Sequence, residues 1–293
     1  MVLAGIRERW RPLRADLLAR VVLLDISDPH LIIGQMLRGG QPMAPVWSAP
    51  VPAQTCRQGV PIALDALGDF IGDLLLEHGA SDAGLVVALP RVASHLRLLE
   101  WPGARVPADP LEDLRQRGQD LGWPFRLADA VVDVQPLSGS SRCAIAVGVS
   151  REALDSWIEV FEIAGARLRH LFPAHACLQT ALSDNLSSGD SQALVALLHP
   201  STTDCHLMVW RHGLPEFERV LPLEQEALIP ELTHALAFCR SRLGGSPRQL
   251  LLGDRLEAAA AIGGALGLPL EPVDRNDYGS LHLQGLGLLE LAR

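Results

Sequence analysis

The segment Leu194–Leu223, LVALLHPSTTDCHLMVWRHGLPEFERVLPL, constrains the fold most, because it repeats in outline VVLLDISDPHLIIGQMLRGGQP at Val21–Pro42. Each copy is an apolar, β-rich run ending at a polar residue, Asp25 or His199. A short polar turn follows with a serine two positions on, Ser27 or Ser201, and then a second apolar run closing on an Arg, Gly and Pro cluster. That pattern reads as a β-hairpin written twice, about 170 residues apart. A duplicated hairpin with its polar turn at a strand end predicts two related lobes facing each other across a cleft. Pattern alone does not separate this from two ordinary hairpins that happen to look alike.

The remaining bounds narrow the chemistry. A chain of 293 residues with 48% apolar content can bury the cores of two lobes. Its net charge of -9 argues against a dedicated nucleic-acid binder, which needs a concentrated basic surface. All the basic residues are arginine, so lysine Schiff-base chemistry and phosphate-loop lysines are excluded. Cys56, Cys143, Cys177, Cys205 and Cys239 stand far apart without metal-ligand spacing and read as reduced, buried thiols. No run approaches the roughly 18 apolar residues of a spanning helix, and no signal-peptide core is present, so the expected location is cytoplasmic.

Taken in order, residues 1–20 mix Ile6, Trp10, Leu13, Leu17 and Leu18 with Arg7, Arg9, Arg11, Arg14 and Arg20. Such a segment either lies on an anionic membrane or packs Trp10 on the first lobe, and Pro12 interrupts any continuous helix. After the first hairpin, VWSAPVP predicts a third strand and Ala63–His78 a helix ending at Gly79. Residues 82–150 read as strand, strand, helix, strand, strand: GLVVALP, the alternating run around His95–Trp101, a helix opened by Asp109 and Pro110 and running to about Leu121, then AVVDVQPL and CAIAVGVS. A helix capped by Ser150, a strand at Arg167–Phe172 and a helix at Ala174–Leu186 complete the first lobe, with SSGDS at 187–191 as linker. The second hairpin is followed by the strand PEFERVLPL, a helix at about Glu224–Leu243, the strand RQLLLG, a helix at Leu256–Leu266, the strand LPLEPV and a final apolar GLGLLELAR.

Five of these stretches, VVLLDIS, VVALPR with LRLLEWP, VGVSREALDSWIEVFEIAGARLRHLFP, STTDCHLMVWRHGLPEFERVLPL and LGLLELAR, resemble in their order the actin-like ATPase superfamily. Within it they resemble the PilM type IV pilus assembly proteins and their relative FtsA. The resemblance implies an α/β, actin-like (ribonuclease H-like) two-lobe fold with a small α+β subdomain inserted in the first lobe. The implied layout is an extension at 1–20, a first lobe at 21–81 and 151–188 with the insertion at 82–150, a second lobe at 189–278, and a segment at 279–293 returning to the first lobe.

The resemblance also marks where a nucleotide would sit: Asp25, Ser27, Ser201, Thr202, Thr203, Asp204, Gly253 and Asp254. In the superfamily each hairpin turn carries Asp-x-Gly, so that amides approach phosphate and a carboxylate holds Mg²⁺ through water. Here Ser27 and Ser201 replace the glycines, His199 replaces the second aspartate, Pro200 removes an amide donor, and Asp254 replaces the second glycine of the adenosine motif. The expectation is therefore a non-catalytic protein needing neither ATP nor Mg²⁺ nor another cofactor. It would be a scaffold at the cytoplasmic face of the inner membrane that holds the cytoplasmic tail of a PilN-like single-pass protein beside other pilus assembly proteins. Alternatives are an active actin-like ATPase or phosphotransferase with an unusual pocket, and a cytoplasmic type II secretion component of the GspL type. Against the last stands the lack of an apolar span after residue 250.

Other chemistry is thinly represented. His170 and His175 straddle Pro173 without a ligand partner at helical spacing, and His206 sits within a strand. Ser94, Ser141 and Ser183 lack a nucleophile elbow, and Glu224 with Glu226 reads as a solvated helix start.

Overall fold

The computed structural model describes residues 20–28, 30–102, 105–118, 121–136, 141–187, 193–211, 213–253, 256, 259–268, 270–273 and 283–292. The extension at 1–19, most of the SSGDS linker and Asp254 lie outside these residues. The chain divides into unit 1, Met1–Cys177 with Leu288–Arg293, and unit 2, Leu178–Gly287.

Unit 1 opens with β1 (Arg20–Asp28) and β2 (Leu31–Arg38), antiparallel, followed by β3 (Gln41–Pro42) and β4 (Trp47–Pro50), both paired with β2. The minor pair β5 (Cys56–Arg57) and β6 (Val60–Pro61) leads to α1 (Leu64–Glu77), which crosses back to β7 (Gly84–Ala88) parallel to β1. The expected first strand of the insertion thus belongs to the central sheet. All five residues of β7 are buried. A continuous apolar run needs cover on both faces, which a small surface sheet cannot supply and a central parallel strand has.

The separate sheet begins ten residues later. It comprises β8 (Ser94–Glu100), β9 (Ala130–Pro136) and β10 (Cys143–Ser150) in the order β8-β10-β9, all antiparallel. Between β8 and β9 lies α2 (Pro110–Arg117), capped by the Asp109 side chain accepting from Glu112 N. This helix stops at Arg117 rather than Leu121, because Gly118 takes the left-handed conformation that ends helices (φ 58°). Leu114 packs under the sheet with Leu99, Trp101, Ala144 and Ala146.

The chain then re-enters the main body through α3 (Arg151–Ile163), whose first turn is held by Ser150 Oγ accepting from Ala153 N at 3.1 Å. It continues through β11 (Arg167–Phe172), parallel to β7. Helices α1 and α3 meet where Gly68 leaves no room for a side chain: a Cβ there would stand 2.5 Å from Ile163 Cγ2. Leu67, Ile71, Trp157, Val160 and Phe161 close the core over β1, β2 and β7.

Helix α4 (Ala174–Ala181) spans the boundary between the units and is separated from α5 (Ser183–Ser187), where one helix was expected. Unit 2 contains β12 (Leu194–Pro200), β13 (Asp204–Arg211), β14 (Leu214–Pro222), α6 (Gln225–Leu243), β15 (Pro247–Leu252), α7 (Ala259–Leu266) and β16 (Leu270–Pro272). Helix α8 (Leu283–Leu291) begins in unit 2, and its end from Leu288 belongs to unit 1.

The five-stranded order β14-β13-β12-β15-β16 has the first strand at the centre, an antiparallel hairpin on one side and two parallel strands on the other. Unit 1 builds the same arrangement from β4, β2, β1, β7 and β11. The repeated hairpin is therefore the start of a repeated sheet. One face of the second sheet packs on α6 through Leu228, Leu232, Ala235 and Cys239; the other packs Leu197, Met208 and Trp210 against Leu178, Leu182 and Leu283.

Candidate functional site

Six of the predicted site residues, Asp25 and Ser27 in unit 1 and Ser201, Thr202, Thr203 and Asp204 in unit 2, fall at two hairpin turns. In unit 1, Asp25 is the last residue of β1 in regular register with β2, before the irregularity that ends at Asp28. Its Oδ1 accepts from Ser27 N at 2.7 Å, a local bond that a short carboxylate side chain makes two residues on. Both side chains are withdrawn from solvent, Asp25 to 5% and Ser27 to 6% exposure.

The turn of unit 2 closes on itself. Ser201 N donates to the Asp204 carbonyl and Ser201 Oγ to Asp204 Oδ1, each at 2.8 Å. The amides of Thr203 and Asp204 donate to Ser201 Oγ at 3.3 and 3.2 Å, and Thr203 Oγ1 donates to Asp204 Oδ2 at 3.3 Å. Three backbone donors of this turn are thereby used inside it, whereas a phosphate cradle presents them outward. Thr202 is the exposed tip.

A residue that sequence reasoning set aside completes this cluster. His206 lies two positions beyond Asp204 on β13, on the same side of the pleat, and its Nε2 stands 2.9 Å from Asp204 Oδ1. Nδ1 lies 3.6 Å from Glu218 Oε1 on the neighbouring β14. The hydrogen bond from His206 leads in lowering the Asp204 carboxyl to about 2; the Ser201 and Thr203 hydroxyls add to it, against the opposing effect of partial burial. The Asp/His pair at i and i+2 of a strand was the signal available in the sequence.

Gly253 follows β15, its amide donating to the Leu198 carbonyl at 3.0 Å. The space above its Cα is occupied: a Cβ there would stand 2.6 Å from His199 Nδ1 and 3.2 Å from Leu283 Cδ2. His199, at 5% exposure, thus covers the glycine that the resemblance assigns to a nucleoside. In unit 2, then, the amides of Ser201, Thr203 and Asp204 are engaged within the turn and His199 lies over Gly253. Among the described residues no group of three or more His, Cys, Asp or Glu side chains is arranged to hold a metal ion.

The other candidates resolve simply. Ser94 Oγ meets His175 Nδ1 at 3.3 Å, but the serine is 2% exposed, leaving its hydroxyl out of reach of a substrate carbonyl. Glu224 and Glu226 are both exposed at the start of α6.

A feature not anticipated from sequence is the second face of the small sheet. Leu99, Ala144 and Ala146 face α2, so the pleat turns Leu96, Leu98, Ile145 and Val147 to the opposite side. Leu98 lies directly across from Ile145, and Leu96 from Val147. All four are half-buried, and exposed Glu100 and Asp133 share their face. This is an apolar stripe between strands, rimmed by carboxylates.

No protein-family model matches the chain, and neither does any curated relative. Solved structures do. A chain of the PilM–PilN type IV pilus biogenesis complex is 21% identical, with 93% of this chain and 98% of that chain covered and a TM-score of 0.74. The cytoplasmic domain of EpsL, an inner membrane component of the type II secretion system of Vibrio cholerae, is 16% identical over 94% and 96% of the two chains, with a TM-score of 0.54. A protein of unknown function with an actin-like ATPase fold from Bacteroides thetaiotaomicron is 11% identical over 94% and 97%, with a TM-score of 0.57. The fold is thus that of the actin-like ATPases, as the sequence resemblance implied. Among the described residues no helix is long and apolar enough to cross a membrane.

Proposed function

We propose that this chain is a non-catalytic actin-like scaffold of a type IV pilus or a related competence or secretion machine. It acts at the cytoplasmic face of the inner membrane and holds the cytoplasmic tail of a PilN-like single-pass protein, beside other assembly proteins. The observation that carries this reading is the likeness to a chain of the PilM–PilN complex over nearly the full length of both chains. The lower TM-score against the EpsL domain, 0.54 against 0.74, ranks a type II secretion role second.

Two features of the site support a scaffold over an ATPase. The turn Ser201–Asp204 turns its donors inward, and His199 covers Gly253. A tail needs neither. An extended segment gains affinity by covering apolar side chains and by strand-like backbone pairing, both independent of nucleotide. The stripe Leu96, Leu98, Ile145 and Val147 offers the apolar part, and Glu100 and Asp133 favour a tail with basic residues beside its apolar ones. Location then follows from the partner. With a net charge of -9 the chain as a whole is repelled by anionic headgroups.

Fluorescence anisotropy with a labelled peptide of a PilN-like cytoplasmic tail tests the reading. Saturable binding without nucleotide, lost in Leu98→Asp, is expected. Absence of binding by the intact protein would remove the proposal.

A further inference from the structure

The open face of the small sheet carries its two carboxylates in a fixed pattern, and that pattern specifies what a bound segment must look like. In register across the strands, Glu100 stands beside Cys143, Leu98 beside Ile145 and Gln135, and Leu96 beside Val147 and Asp133. Each step between these rows is two residues, about 6.8 Å along a strand. Glu100 and Asp133 are therefore about 13 Å apart along the strands, on opposite flanks of the central β10, with the row of Leu98 and Ile145 between them. Both acidic residues are exposed, and Asp133 Oδ2 accepts from Gln135 Nε2 at 2.9 Å, which holds that carboxylate on its flank. Arg97, the only arginine of the three strands, points to the other side, where its Nε donates to the Leu121 carbonyl at 2.7 Å.

We propose that this face reads an extended segment of the form basic-x-apolar-x-basic, with its two basic residues four apart. In an extended chain, residues two apart project to the same side with the same step as the rows beneath them. A basic residue over Glu100 then places an apolar residue on Leu98 and Ile145 and a second basic residue at Asp133. The aliphatic stem of that second side chain crosses Leu96 and Val147 before its charged head reaches the carboxylate. A spacing of three or five turns one basic residue away from the sheet.

The occupant is a partner's segment, not a second copy of this chain. Arg7 and Arg11 are the chain's only two arginines four apart, and Arg9, not an apolar residue, stands between them. Opposite charge flanking matched apolar surface selects one partner over another. The inference rests on the tail-holding reading above for the identity of the partner; the spacing rests on the sheet alone.

Three peptides of identical composition, with two arginines four, three or five residues apart around a leucine, are titrated into the intact protein alongside a PilN-like cytoplasmic tail. The four-spaced peptide should bind about two- to fivefold more tightly than the other two, the worth of one exposed ion pair, and lose that advantage at high salt. Glu100→Gln and Asp133→Asn should each remove the advantage with the cooperative melting transition retained. Glu100→Arg should instead favour a peptide with glutamate in place of one arginine. Equal affinity of the three peptides overturns the proposal, and so does a four-spaced advantage that survives both carboxylate substitutions. Self-association that Leu98→Asp abolishes overturns it in favour of a second copy. A PilN-like tail whose binding is lost in Leu98→Asp but ignores both carboxylate substitutions removes the spacing rule and keeps the tail-holding function. Spacing-selective peptide binding by a protein that never binds the PilN-like tail does the reverse.

Discussion

His206 holds the carboxylate of Asp204 from two positions along the same strand, Nε2 to Oδ1 at 2.9 Å, and so closes the second hairpin turn on itself. The folded-state carboxyl value of about 2 lies below the unfolded value of about 3.9. The stabilisation is therefore complete above about pH 4 and is lost as pH falls toward 2. With the Asp204 side chain 29% exposed, screening reduces the contribution to about 1 kcal/mol. Asp204→Asn should lower the urea midpoint at pH 7, and its deficit relative to the parent should shrink between pH 5 and pH 3. A deficit that stays constant over that range would show the pair to be without effect.

Ser150 caps the helix that carries Trp157, Val160 and Phe161 into the core of unit 1. Replacing it with alanine leaves the Ala153 amide without that acceptor and should cost about 1 kcal/mol, read as a lower denaturant midpoint at unchanged slope. A loss within experimental error contradicts this.

Gly34 on β2 is the seat of Trp47 on β4: a Cβ at this position would stand 2.0 Å from Trp47 Cζ2, well inside contact distance. Trp47 in turn stacks on His78 with ring centroids 4.4 Å apart and planes within 7°. Gly34→Ala should therefore destabilise by roughly 1–3 kcal/mol, as overpacking does, and change the tryptophan fluorescence. An unperturbed melting temperature would mean that the indole relocates freely.

Leu98→Asp and Ile145→Asp change a half-exposed face, not the buried side on α2. Each should cost about 1–3 kcal/mol at most, because the positions are half-buried, and leave a cooperative melting transition while abolishing tail capture. Retained capture in both places the tail elsewhere.

The local parts of this architecture were legible in the sequence, and the long-range parts were not. The hairpin of β12 and β13, α1 and α3 declared themselves through apolar runs flanking a polar turn, helical spacing and the Ser150 cap. GLVVA declared a buried strand but not its sheet, because the parallel pairing of Val21 with Gly84 joins residues far apart in sequence and leaves no local mark. The open face stayed hidden for a related reason. In β10 both sides of the pleat are apolar, Ala144 and Ala146 on one and Ile145 and Val147 on the other, so alternation could not say which is covered. His199 was read as a lost aspartate; that its ring would lie on Gly253 depends on β12 and β15 being neighbours.

The central claim is that this actin-like fold captures a partner tail without using nucleotide, and calorimetric titration of the tail peptide into the intact protein, with and without Mg²⁺ and ATP, tests it most directly. The account predicts the same affinity in both conditions, no heat of ATP binding and no phosphate release above background, with Asp25→Ala indistinguishable from the parent in the last respect. Tail binding that requires Mg²⁺ and ATP, or a turnover that Asp25→Ala abolishes, would contradict it.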